Sequence, residues 1–185
     1  MSAAYAVRGS PDEISWIFWP ARILAPFRVA DRYGLFAVMT PGRWEIEFQG
    51  SRDGVTWTAY PFRYKPQALN EAPKIYAPYQ PRFEWNLWFC SLGLWEDCGF
   101  LTPAESRLLE NEPHVLALFQ GDPFHGDPPR FVRAVRFEYW FTDKKERAVT
   151  KDWWRRDLGA VYGPTLERHP DGSITVTVPE ETVTW

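Results

Sequence analysis

The sequence predicts a mainly β fold, an antiparallel β-sandwich carrying a small helical insertion at about residues 85–120. Three observations predict it. Arg43–Gln49 alternates strictly between polar and apolar side chains and runs into an Asp-Gly turn, the pattern of a half-buried hairpin strand. Phe131–Phe141 is a long run rich in aromatic and β-branched residues. The 17 prolines are spread so that no long helix fits between them.

The elements follow in chain order. Residues 1–26 read as an N-terminal apolar arm ahead of a domain over 27–185. Within it Ile14–Phe27 carries Trp16, Trp19 and a single Arg22, and Pro20 and Pro26 keep it from being one straight helix. It either packs on the core or sits at a membrane interface, a boundary that tryptophan favours. Gly34, between aromatic pairs, marks a bend, and Thr40-Pro41-Gly42 a turn. On the first clear strand Trp44, Ile46 and Phe48 take one face; Glu45, Glu47 and Gln49 take the other, read as the solvent side. Asp53-Gly54 turns the chain, and Thr56–Tyr64 returns as an edge or bulged strand because Pro61 interrupts it.

Residues 65–84 are proline-rich and read as a fixed loop that hides Ile75, Tyr76, Tyr79 and Phe83. Trp85, Trp88 and Phe89 then recur at helical spacing. Thr102-Pro103-Ala104-Glu105 has the form of a capping box opening a helix to about Asn111, and Pro113 opens another. Phe131–Phe141 places Phe131, Val135, Phe137, Tyr139 and Phe141 on one face. Trp153–Tyr162 reads as a short helix, and Asp171-Gly172 turns into a last strand, Ile174–Val178.

Composition removes several function classes. Twenty-one Lys and Arg against 24 Asp and Glu give a net charge of −3, without the basic footprint of a nucleic-acid binder. Aromatics at 17% exclude a disordered chain. No apolar run reaches the roughly 18 residues of a membrane span, and the first residues carry no signal-peptide pattern, so the chain as given reads as soluble. Cys90 and Cys98 either bridge each other or stay as buried thiols, and the thiol reading is favoured because free cysteine behaves as a small hydrophobe. His114, His125 and His169 stand far apart, so no metal site is expected, and no nucleotide or nucleophile motif calls for a cofactor. Ser51, Ser91 and Ser106 lack a partnering histidine in a recognisable order, and the pairs Glu45/Glu47 and Glu110/Glu112 read as solvated. No catalytic residue is assigned. Arg82, Arg130, Arg133, Arg136, Arg155 and Arg156 stand beside aromatics, either locking a small core or forming an interface.

The chain also resembles a known family. Tyr33-Gly34-Leu35-Phe36, Met39-Thr40, Glu45-Ile46, Gly50-Ser51, Asp53-Gly54, Trp57, Tyr60, Phe62 and Lys65-Pro66 are similar to the conserved domain of the lipase maturation factors. The likeness continues through Gln80-Pro81-Arg82, Trp85, Trp88-Phe89, Pro123-Phe124, Pro128-Pro129-Arg130, Arg133-Ala134, Tyr139, Phe141-Thr142 and Trp153-Trp154-Arg155-Arg156. Tyr79 departs from the pattern, which has histidine there. The resemblance implies a non-catalytic domain that assists the folding and assembly of a client, a lipase. It further implies multi-pass membrane relatives, with this domain in the endoplasmic reticulum lumen in eukaryotes. The client-binding surface is then placed at Gln80, Pro81, Arg82, Trp85, Trp88 and Phe89, and a membrane-proximal surface at Trp16, Trp19 and Arg22. A second, shorter likeness around Asp53-Gly54 and Trp57, to galactose-binding-like sandwiches, implies a jelly-roll fold. It carries the alternative reading, a module binding a carbohydrate or lipid headgroup in a concave aromatic pocket.

Overall fold

A computed structural model of the protein describes residues 42–76 and 78–179. The arm with Trp16, Trp19 and Arg22, and the Gly34 bend, lie outside the described residues. Five antiparallel strands form one sheet in the order β2-β1-β3-β4-β5. They are β1 (Arg43–Ser51), β2 (Thr58–Ala59), β3 (Phe131–Phe141), β4 (Trp154–Arg168) and β5 (Ile174–Thr177). Helices α1 (Arg82–Cys90), α2 (Leu101–Leu109) and α3 (Pro113–Leu116) fill the connection between β2 and β3; α4 (Lys144–Thr150) joins β3 to β4.

The expected antiparallel sheet is present, but a sandwich does not appear among the described residues. The described residues make a mixed domain with a single sheet, and the apolar side chains that a second sheet would have met are covered by helices. Ile46 and Phe48 of β1 and Val132 and Ala134 of β3 pack with Leu87 of α1 and Leu101, Leu108 and Leu109 of α2 in one cluster. Along α2 the buried positions 101, 104, 105 and 108 follow the helical period, so one stripe faces the sheet. Val135, Phe137, Tyr139 and Trp154 form a second cluster, against Leu69 and Trp153. There the proline-rich segment after β2 is the lid. The amides of Trp153 and Trp154 donate to Leu69 O, and the Trp154 indole donates to Glu71 O.

Both faces of the central strands are therefore covered, which overturns the solvated placement of Glu45 and Glu47. They are only 3% and 4% exposed. Two further expectations fail. Ile75 and Tyr79 are exposed rather than hidden. The capping box does not form: α2 opens from Phe100 without a side-chain cap, and Glu105 turns inward.

The largest miss is β4. Residues 154–168 were expected to begin as a helix, yet they form the longest strand. Its pairing with β3 shifts register between Arg136 and Phe137 and again between Arg133 and Val135. Gly159 stands opposite the first shift, and Gly163, with φ +89°, lies in the second. Such bulges bend a strand and break its period of two.

The turn expected at Asp53-Gly54 is present, with Gly54 at φ +75°. The Asp53 carboxylate accepts from the amides of Thr56 and Val55 and from the Ser51 hydroxyl, which together hold it well below the usual carboxylate range. Gly50 serves a different need. A Cβ there would stand 2.6 Å from the Phe124 ring, which packs on Tyr60 with 5.6 Å between centroids. Gly50→Ala is expected to cost about 1–3 kcal/mol in urea unfolding, by overpacking. Adding Phe124→Leu should return part of that loss, and no loss in the single variant would contradict the packing.

Candidate functional site

Helix α1 has two apolar faces. Its inner face places Leu87, fully buried, and Phe83 against the sheet, with the Phe83 ring stacked at 6.3 Å on Phe48. Its outer face carries Trp85, Trp88 and Phe89 at i, i+3 and i+4, with centroids 5.0–5.6 Å apart. Trp85 and Phe89 are 39% and 43% exposed. Arg82 and Gln80 are exposed at the start of the helix, and Pro81, its N-cap, is half-buried. Of the six residues placed there from the sequence, Gln80, Pro81 and Arg82 stand at the helix start; the structure brings the three rings into mutual contact, Trp85 and Phe89 exposed and Trp88 half-buried. No ligand is needed to hold them, because the helix backbone fixes their spacing.

Three devices fix α1. Glu84, in the first turn, is buried and accepts from three backbone amides: Arg63 at 3.0 Å, Tyr64 at 3.0 Å and Lys65 at 2.6 Å. Burial raises its pKa, and those amides oppose the rise. At the other end, the Ser91 hydroxyl donates to Trp44 O of β1 and to Trp88 O. A disulfide joins Cys90, the last residue of α1, to Cys98, with Cα atoms 5.4 Å apart. This corrects the buried-thiol reading. The turn after α1 folds back, with the Gly93 amide donating to Cys90 O, and so brings the two cysteines within bridging range.

Beneath the proline-rich lid lies a buried charge layer. Glu45 accepts from Arg43 at 2.9 Å, and Lys65 Nζ stands 3.5 Å from its other oxygen. Lys65 also donates to Ile46 O and lies 4.0 Å from the Phe62 ring centroid. Glu47 accepts from Gln49, Gln67 and Arg156, and Arg156 also reaches the Tyr139 hydroxyl. Sequence reasoning found the acids but missed Lys65 and Gln67 as their partners. The usable signal was the Lys65-Pro66 pair on the segment returning over β1.

The arginines split between roles. Arg133 lies over Trp57 at 3.9 Å, Arg136 over Trp44 at 4.3 Å and Arg156 over Phe137 at 4.3 Å, all locking the sheet's own surfaces. Arg155 and Arg130 lie over Trp140 and Phe131 but stay exposed. Ser91 is fully buried and engaged with backbone carbonyls. Among the described residues no three His, Cys, Asp or Glu side chains are placed to hold a metal ion. Among them, too, no helix is long and apolar enough to cross a membrane.

Comparison with known proteins adds the following. Residues 29–164 match the family described as the lipase maturation factor C-terminal domain. The chain is 39% identical over 145 residues to lipase maturation factor 2 of Homo sapiens, covering 75% of this chain and 20% of that protein. It is 38% identical over 147 residues to lipase maturation factor 2 of Gallus gallus, covering 76% and 21%. It is 32% identical over 159 residues to lipase maturation factor 1 of Bos taurus, covering 81% and 28%. The chain therefore spans about a fifth to just over a quarter of the length of these relatives. No solved structure matches it.

Proposed function

Because the chain belongs to the lipase maturation factor C-terminal domain family, we propose that it assists lipase maturation by holding an incompletely assembled lipase on the outer face of α1. The observation that carries this reading is the ring cluster of exposed Trp85 and Phe89 with half-buried Trp88, near exposed Arg82. Tryptophan and arginine are the side chains on which protein interfaces concentrate their energy. A helix clamped by Glu84, Ser91 and the disulfide presents them at little ordering cost. The role is non-catalytic: its work is to cover apolar client surface until a subunit or a core segment replaces it. The enclosure of Glu45, Glu47 and Glu84 supports that, since each is committed to a partner inside the domain.

The disulfide supports an oxidising compartment, which fits the lumenal side of the endoplasmic reticulum. In the same reading Trp16, Trp19 and Arg22 form a membrane-proximal segment.

The test is capture by the immobilised protein. A lipase is offered native and freshly diluted from denaturant, beside an unrelated unfolded protein. Selective retention of the non-native lipase is expected, falling at least fivefold in Trp85→Ala/Phe89→Ala and in Arg82→Ala. These are exposed positions, and near-native circular dichroism should accompany the loss. Equal retention of every unfolded chain, or full retention by the variants, would overturn the assignment.

A further inference from the structure

We propose that the sheet end at Ser51, Phe131 and Glu167 carries a binding cleft for a phosphate- or sulfate-type oxyanion, independent of client holding. The strand register builds it. Ser51 of β1 pairs with Phe131 of β3, and Phe131 pairs with Glu167 of β4. One residue beyond that rung stands an arginine on each of the three chain segments: Arg52 just after β1, Arg130 just before β3 and Arg168 at the end of β4. The Arg168 amide donates to Arg130 O at 2.8 Å, which keeps the row in step. Neighbouring strands lie about 4.8 Å apart, so three guanidinium stems leave the sheet side by side.

All three arginines line one cleft of about 460 Å³, together with Asp127, Pro128, His169, Pro170 and Gly172. Like charges abreast in a sheet repel, and the local acids balance them only in part. Asp127 pairs with Arg52 at 2.8 Å and Glu167 with Arg130 at 2.5 Å. Arg168 has no side-chain hydrogen bond or ion pair among the described residues. It is therefore the fork left to receive an anion.

The other two are held ready. Arg52 lies 5.8 Å from the Phe124 ring centroid and Arg130 5.1 Å from that of Phe131. The turn that forms the far wall is pinned by the His169 ring on the Thr175 hydroxyl at 2.7 Å and by the His169 amide on Ser173 O. The Asp127 side chain is 74% exposed, so an incoming anion can replace it on Arg52 at small cost. Planar guanidinium forks match tetrahedral oxyanions bidentately. The lining carries three arginines and no Trp, Tyr or Phe, so the cleft does not suit the sugar-stacking pocket that the alternative reading called for.

Calorimetry with pyrophosphate, at ionic strength matched with chloride, tests the site on the whole chain. Binding is expected, weakened about tenfold in Arg168→Gln, less in Arg168→Lys, and unchanged in Arg107→Gln on α2. Flotation with phosphatidylcholine vesicles, with and without phosphatidic acid, identifies the source. Capture by phosphatidic acid that is lost in Arg168→Gln supports a lipid headgroup. Pyrophosphate binding without capture supports a free anion. Absence of binding to both probes, or equal binding by wild type and Arg168→Gln, would overturn the proposal.

Discussion

Lys65→Met is expected to lower the unfolding free energy by about 3–5 kcal/mol at pH 7, the usual cost of stripping one partner from a buried ion pair. The Lys65 side chain is 6% exposed and the Glu45 side chain 4%. Burial pulls the ammonium pKa down, while Glu45, Glu47 and Glu84 push it back up. Met keeps the apolar stem over Phe62 but removes the charge and the donor to Ile46 O. Glu45 is then left with Arg43 alone, and its second oxygen already lacks a hydrogen bond. Glu45→Gln added to Lys65→Met should recover 1 kcal/mol or more, roughly the coupling expected of residues in contact. Urea unfolding followed by tryptophan fluorescence reads both. A loss below about 1 kcal/mol in Lys65→Met would mean that the pair is solvated and that the lid does not seal.

That same layer explains what could be read in advance. The alternation of Arg43–Gln49 identified β1 and divided its side chains correctly between two faces. It said nothing of what covers each face, because the cover over Glu45 and Glu47 comes from an irregular proline-rich segment without a period. Elements with a local signal were legible: α1 by the aromatic spacing from Trp85 onward, although its first turn, Arg82–Glu84, was read as loop; α3 with Pro113 at its first turn; β5 after the Gly172 turn. Asp143, which caps α4 by accepting from the amides of Lys145 and Glu146, was an equally local signal that went unused. β4 was opaque: its start, Trp154–Leu158, holds three consecutive charged residues in place of an apolar alternation, and beyond it bulges at Gly159 and Gly163 break the period by which a strand is recognised. The contact of Trp85, Trp88 and Phe89 on α1 was legible, since helical spacing predicts which rings meet. The arginine row was not, since it depends on the register of three strands remote in sequence.

Glu105→Leu is expected to stabilise the domain by about 2–4 kcal/mol at pH 8, a gain seen when an unmatched buried polar group gives way to an apolar one. Glu105 is fully buried on the sheet-facing stripe of α2, and neither carboxyl oxygen has a hydrogen-bond partner. Burial raises its pKa well above the ordinary 4.5; the neighbouring Ala134 amide, which makes no hydrogen bond of normal geometry to it, opposes the rise only in part. The sign follows from linkage. In the unfolded chain the carboxyl ionises near its ordinary value, while in the folded domain it stays protonated to higher pH. Its contribution is fully present below the unfolded pKa and is lost as pH rises towards the folded one, by up to about 1.4 kcal/mol per pH unit. Glu105→Gln removes that titration while keeping the shape, so the gap between it and wild type should widen from pH 4 to pH 8. Stability curves that stay parallel over this range would mean that Glu105 is ionised and paired in the fold. A widening gap would mean that the acid is carried neutral between α2 and β3, at a stability cost that grows with pH.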